Sequence, residues 1–187
     1  MKKAVLVTVV LAAVAAYAAA GTGPVQTAPV FEPPALITSA GQSADVQLAS
    51  VLAKRAEIEA TLGKMSAAQD LEKYKTLILV LGASMKGLGA AGLDTDKEKE
   101  RIAGLLAEAA KRGIPVLCLH LGGEARRGDL TDEMVAAYLP SAKSAIVVKS
   151  GNKDGLFTKI CREKNIPLVE VEKTLDAVAP LRAAFGK

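Results

Sequence analysis

Tryptophan is absent from this sequence, histidine occurs once, at His120, and cysteine twice, at Cys118 and Cys161. Only three Tyr and three Phe accompany them. Each scarcity removes a class of function. So few aromatics leave no stacking platform for single-stranded nucleic acid and nothing placed to cover a flavin ring. A lone histidine without spaced companions is a poor metal donor set. Two cysteines cannot build the disulfide framework of a small secreted domain, and they form no CxxC pair. Cys118 sits within an apolar strand pattern, and Cys161 shares a helical face with Phe157 and Ile160. Both read as small buried hydrophobes. A bond between them needs Cα atoms within about 7 Å.

Long apolar runs are also missing, with one exception near the start. Lys2 and Lys3 precede an apolar stretch from Ala4 to Ala16, followed by the small residues Ala16-Tyr17-Ala18 and Ala18-Ala19-Ala20. A basic start, a short apolar run and an A-x-A end describe a secretory signal over residues 1–20, too short for a good membrane span. No cysteine adjoins that end to carry a lipid, and no twin arginine precedes the run, which implies export unfolded and without a cytosolic cofactor. The expectation is a secreted or periplasmic protein with no membrane span after signal cleavage. Residues 21–34, rich in Gly, Pro, Thr and Ala, read as a flexible linker, and residues 35–187 as one domain with a proper core. Without Lys2 and Lys3 the balance is 22 basic against 20 acidic residues, formally +2. Nucleic acid is therefore not an expected partner.

From Ala35 onward, strand and helix patterns alternate. Ala35–Thr38 reads as a first strand, and a helix capped by Ser43 or Asp45 runs to Arg55. Glu57–Thr61 alternates as an edge strand would, and Ala67–Lys73 allows one helical turn. The uninterrupted Thr76-Leu77-Ile78-Leu79-Val80-Leu81 suits a strand covered on both faces. Thr95 and Glu98 form a capping box for the next helix, which Lys111-Arg112-Gly113 closes. Ile114–Leu119, Ala145–Val148 and Leu168–Val171 read as further strands; Thr131–Leu139 and Asp154–Lys164 as helices. Thr174 caps a last helix interrupted near Pro180. The segments Lys111-Arg112-Gly113-Ile114-Pro115 and Glu163-Lys164-Asn165-Ile166-Pro167 share one turn solution, with Gly or Asn left-handed and proline opening the strand. The expected fold is a three-layer, doubly wound α/β domain with a mostly parallel sheet of five or six strands, flavodoxin-like or Rossmann-like. The order 2-1-3-4-5 extended by a sixth strand is preferred to 3-2-1-4-5-6.

In such folds ligands bind beyond the carboxyl ends of the strands, near the reversal of strand order. Four loops on that edge carry glycine, small hydroxyls and cations. The first contributes Ser39, Gly41, Gln42 and Ser43, running into a helix whose free N–H groups suit an anion. The second runs from Gly82 to Gly92 with Ser84 and Lys86; the third holds His120, Gly122, Gly123, Glu124, Arg126 and Arg127; the fourth holds Lys149 and Asn152. Loops beyond simple connection length are often functional. These residues form the candidate site for a small anionic ligand, with Arg126 and Arg127 as bidentate anion donors or as ion-pair partners of Glu124, Asp129 or Asp132.

Sharper motifs fit less well. Gly87-Leu88-Gly89-Ala90-Ala91-Gly92 matches G-x-G-x-x-G literally, but it stands away from Leu81 and precedes Asp94 and Asp96, which oppose a pyrophosphate. Thr38–Ser43 is weakly similar to a flavodoxin phosphate loop without an aromatic partner for the flavin. No G-x-S-x-G elbow is present. His120 and Glu124 are the candidate catalytic pair, with His120 as base. No cofactor and no metal are expected.

The strings ALITSAGQSADVQ, LILVLGASMKGLGAAGLD, LHLGGEARRGDLTDE and VVKSGNKDGLFTKI resemble, in order, a domain-of-unknown-function family of short exported bacterial proteins. The resemblance runs from about Ala35 to Leu175. It implies a soluble secreted α/β domain and carries no catalytic assignment. Three functions stay open: an exported binding protein for a small anionic metabolite, a secreted hydrolase or transferase using His120, and a scaffold contacting a protein partner through the glycine-rich loop.

Overall fold

The computed structural model describes residues 31–187. The expected signal at 1–20 and most of the expected linker lie outside the described residues. Phe31, the first described residue, is already packed, ahead of the Ala35 start expected. The Phe31 ring is buried 5.8 Å from that of Phe185, and Thr76 Oγ1 donates to Glu32 O at 2.8 Å.

Six strands form one sheet, all parallel: β1 (Ala35–Ala40), β2 (Ala60–Leu62), β3 (Thr76–Leu81), β4 (Val116–His120), β5 (Ser144–Val148) and β6 (Leu168–Val171). The order is β2-β1-β3-β4-β5-β6, the preferred expectation. In register, Ala40 faces Leu81, Leu79 faces Cys118, and His120 faces Val147. Among the described residues, α1 (Asp45–Arg55), α2 (Met85–Ala90), α3 (Thr95–Arg112), α4 (Asp129–Tyr138) and α5 (Leu156–Lys164) lie between strands, and α6 (Val178–Ala184) follows β6.

The apolar run of β3 shows why the sheet is covered twice. Leu77, Leu79 and Leu81 pack with Ile102, Leu105, Val135 and Phe157 on one face. Ile78 and Val80 pack with Val46, Leu52 and Leu181 on the other. Alternate side chains of a strand point to opposite faces, so both layers draw on one continuous hydrophobic string. Each fully buried Leu or Ile contributes about 1.5–3 kcal/mol of transfer free energy. Cys118 and Cys161 are free, buried thiols in the first cluster, and burial pushes both above the ordinary thiol pKa.

Four local expectations change. The glycine-rich loop contains α2: Ser84 Oγ accepts from Gly87 N at 3.1 Å, and Leu88 is buried beneath it. The edge strand β2 shortens to three residues. Asp94 caps α3 in place of Thr95, accepting from Lys97 N at 2.8 Å, and Glu98 turns inward. The last helix splits into a 3-10 turn at Thr174–Ala177 followed by α6, whose first turn accommodates Pro180. Gly113 and Asn165 both take the left-handed conformation foreseen at the shared helix-to-strand turns (φ 68° and 54°).

Candidate binding site at the carboxyl edge of the sheet

The strand order reverses between β1 and β3, and there the two strand-end loops touch. Gly82 N donates to Ala40 O at 3.1 Å and Ser84 N to Gly41 O at 2.8 Å. Gln42 and Ala83 form an isolated bridge. Gly41, at φ 102°, allows this approach, since a Cβ there would lie 2.6 Å from Ala83 Cα. The crevice expected between the loops is laced together by main-chain hydrogen bonds.

Its anion positions are filled from within. Glu98, fully buried on α3, accepts from Gly41 N at 2.8 Å and from Gln42 Nε2 at 3.2 Å. Arg101 donates to the same carboxylate at 2.8 and 2.9 Å, and further to Ser39 O and Ser66 O at 2.6 and 2.7 Å. The acid and base neutralise each other while every hydrogen-bonding direction is used, the condition under which a buried ion pair is tolerated. At the start of α1 Asp45 supplies a second internal carboxylate, where the helix dipole favours negative charge. Ser43 N donates to Ser39 Oγ at 3.1 Å, and Asp45 N to Ser43 Oγ at 3.2 Å.

Asp45 and Ser43 meet Arg126 over bare backbone. Arg126 Nε donates to Asp45 Oδ2 at 3.2 Å. A Cβ on Gly122 would lie 2.5 Å from Asp45 Oδ2 and 2.6 Å from Arg126 Cβ; one on Gly82 would lie 2.9 Å from Arg126 Cγ and 3.2 Å from Ser43 Oγ. Two glycines following different strands thus make room for the cluster. Among the described residues Arg126 donates only through Nε, and its side chain is 32% exposed. Its terminal N–H groups have no acceptor among the described residues.

Most of the remaining candidates are engaged elsewhere. Arg127 is clamped by Asp132 and Asp154 and donates to Gly151 O; this clamp holds the Asp154 carboxyl down at about 2. Lys149 pairs with Glu172 at 2.8 Å. Asn152 accepts from Phe157 N at 2.9 Å, capping α5, and donates to Thr158 and Glu170. Lys86 is exposed on α2. His120 is fully buried, with Nδ1 3.0 Å from Leu81 O and Nε2 3.1 Å from Gly123 O. Burial pushes its pKa below the ordinary histidine value against the opposing pull of the two carbonyls. Glu124 pairs with Lys153 at the surface, so the expected contact between Glu124 and His120 is replaced by separate partners for each.

Asp45 and Glu98 are the residues that sequence reasoning missed. A signal existed: Glu98 stands on the face of Ile102, Leu105 and Ala109, and Asp45 on that of Ala49 and Leu52. A carboxylate at a core-facing helical position implies a buried partner. Among the described residues no group of three or more His, Cys, Asp or Glu could hold a metal ion, and no helix is long and apolar enough to cross a membrane.

The chain belongs to the family described as a domain of unknown function, DUF6305, whose profile matches residues 32–185. No curated protein matches it. Among solved structures it is similar to a protein assigned to the G-D-S-L family of lipolytic proteins from Desulfitobacterium hafniense DCB-2, with 16% identity, 73% of this chain and 75% of that chain covered, and a TM-score of 0.37. It is also similar to AlinE4, an SGNH-hydrolase family esterase, with 16% identity, 78% and 77% coverage and a TM-score of 0.28.

Proposed function

We propose that this member of the DUF6305 family is an exported binding protein for a small anionic ligand, held at the carboxyl edge of the sheet by Arg126. The observation that carries the reading is the cluster over Gly82 and Gly122. There Arg126 is tied through Nε to Asp45, and its terminal N–H groups have no acceptor among the described residues. A guanidinium fixed through Nε presents a planar fork suited to a carboxylate or phosphate. Asp45 acts as a positioning residue, and the buried Ser43 hydroxyl holds Asp45 N. Arg127, Lys149 and Asn152 shape the surrounding loops through their internal partners. Export is supported by the basic-then-apolar start at residues 1–20 and the small residues that close it.

Isothermal titration of the secreted protein against a panel of small carboxylates, inorganic phosphate and phosphomonoesters tests the reading. Binding is expected to be lost in Arg126→Ala and weakened in Arg126→Lys, which keeps charge but not the fork. A panel member binding Arg126→Ala as tightly as the native protein would place the site elsewhere. The N-terminal residue of the secreted chain, read by mass spectrometry, tests the export signal; an intact Met1 on exported protein would refute cleavage.

A further inference from the structure

The opposite edge of the sheet, where the strands begin, holds an open surface depression of about 530 Å³. Tyr74, Ile114 and Pro115 give it an apolar wall, and Lys75, Arg112 and Lys143 line it as cations together with the carboxylate of Glu32. Lys75 lies 3.0 Å from Glu32, and Arg112 is held by Glu108. Lys143 is exposed and has no ion pair among the described residues. With Lys111, 3.5 Å from Glu108, the rim carries more positive than negative side chains.

One feature opposes an anion there. Helix α3 ends at Arg112, and a helix C-terminus contributes roughly half a negative charge. Gly113 N and Ile114 N donate to Ala110 O and Ala109 O, which satisfies part of that end. The surplus of cations outweighs what remains. The depression is wider than a bare oxyanion needs and leaves room for a small organic group.

We propose that this depression binds a small organic phosphomonoester. Its phosphate lies on Lys143 and Arg112, and its apolar body lies against Tyr74, Ile114 and Pro115. The site stands apart from Arg126, because β3 separates the two edges by its six residues, about 20 Å at 3.3 Å per residue.

The test is an NMR titration of the full chain with phenyl phosphate, followed at backbone amides. Saturable shifts are expected at Gly113, Ile114 and Lys143, with weaker affinity for inorganic phosphate and no response to phenol. Lys143→Gln changes an exposed side chain and should keep the native spectrum while weakening phenyl phosphate about tenfold, the usual scale for a charge-assisted contact. Unchanged affinity in Lys143→Gln, or shifts that sodium chloride reproduces at equal ionic strength, would overturn the proposal. Shifts confined to Gly122–Arg126 would also overturn it while favouring the carboxyl-edge reading.

Discussion

Glu98 accepts the main-chain N–H of Gly41 at 2.8 Å, so a carboxylate from α3 occupies the position where a strand-end loop would receive a ligand's anion. The contact ties the end of β1 to α3 and sits against Arg101, whose side chain is 9% exposed. Breaking one partner of such a pair strands the other in a low-dielectric interior. Glu98→Gln is therefore expected to cost about 3–5 kcal/mol, read by urea unfolding. A loss under about 1 kcal/mol, the range of exposed pairs, would show that water reaches the network.

The floor of the Arg126 cluster has a test of its own. Gly122→Ala would push a methyl into Asp45 Oδ2 and the Arg126 stem. The variant is expected to bind the anionic ligand at least about tenfold more weakly, the effect of losing one charge-assisted contact. Calorimetry on the folded variant would measure it. Native affinity in Gly122→Ala would separate Arg126 from binding.

Two helical glycines should respond in opposite directions. A Cβ on Gly87 would lie 2.0 Å from Gln42 O, whereas one on Gly104 meets nothing within 4 Å. Gly87→Ala is expected to lose about 1–3 kcal/mol through overpacking. Gly104→Ala, on an exposed position of α3, should gain about 0.5–1 kcal/mol through reduced backbone entropy. Thermal melts of the pair settle both signs.

Acid should destabilise the fold through His120. Burial holds its folded pKa below the unfolded value of 6.5, so the unfolded chain takes up the proton first. Its contribution is intact above about pH 6.5 and declines as pH falls from there toward the depressed folded pKa. Asp45 and Arg127 also act on the ring, with opposite signs. The Asp154 carboxyl stays ionised until about pH 2, so the Arg127 clamp does not add to a loss in this window. Melting temperature between about pH 7.5 and 5 should fall in the native protein and fall less in His120→Gln. Equal slopes would assign the loss to another group.

Strand identity is legible in the sequence because it depends on local composition. Thr76–Leu81 is apolar at every position after Thr76, and the paired Gly113 and Asn165 turns announce strands opened by proline. Helix α2 is hidden because Gly87 and Gly89 fall inside it, and glycine is a poor helix former. Its stability comes from the Ser84 cap and the burial of Leu88. Glu98 reads as a capping residue because its true partners, Gly41 and Gln42, lie more than fifty residues away. The candidate loops do converge on one edge, but most of their charges meet internal counter-charges. Only the folded arrangement decides which cations keep free donors, and among the described residues Arg126 and Lys86 differ in that respect from Arg127.

Phe31 and Phe185, whose rings pack together near the two ends of the described chain, have a mechanical consequence. Phe31 N also donates to Ala184 O at 3.4 Å, so the two ends of the described segment lie side by side. A pulling force applied between them would first peel this aromatic latch and α6, leaving the central strands unloaded until the latch gave way. Joining the ends by a short covalent bridge would then protect the domain against unravelling from either terminus.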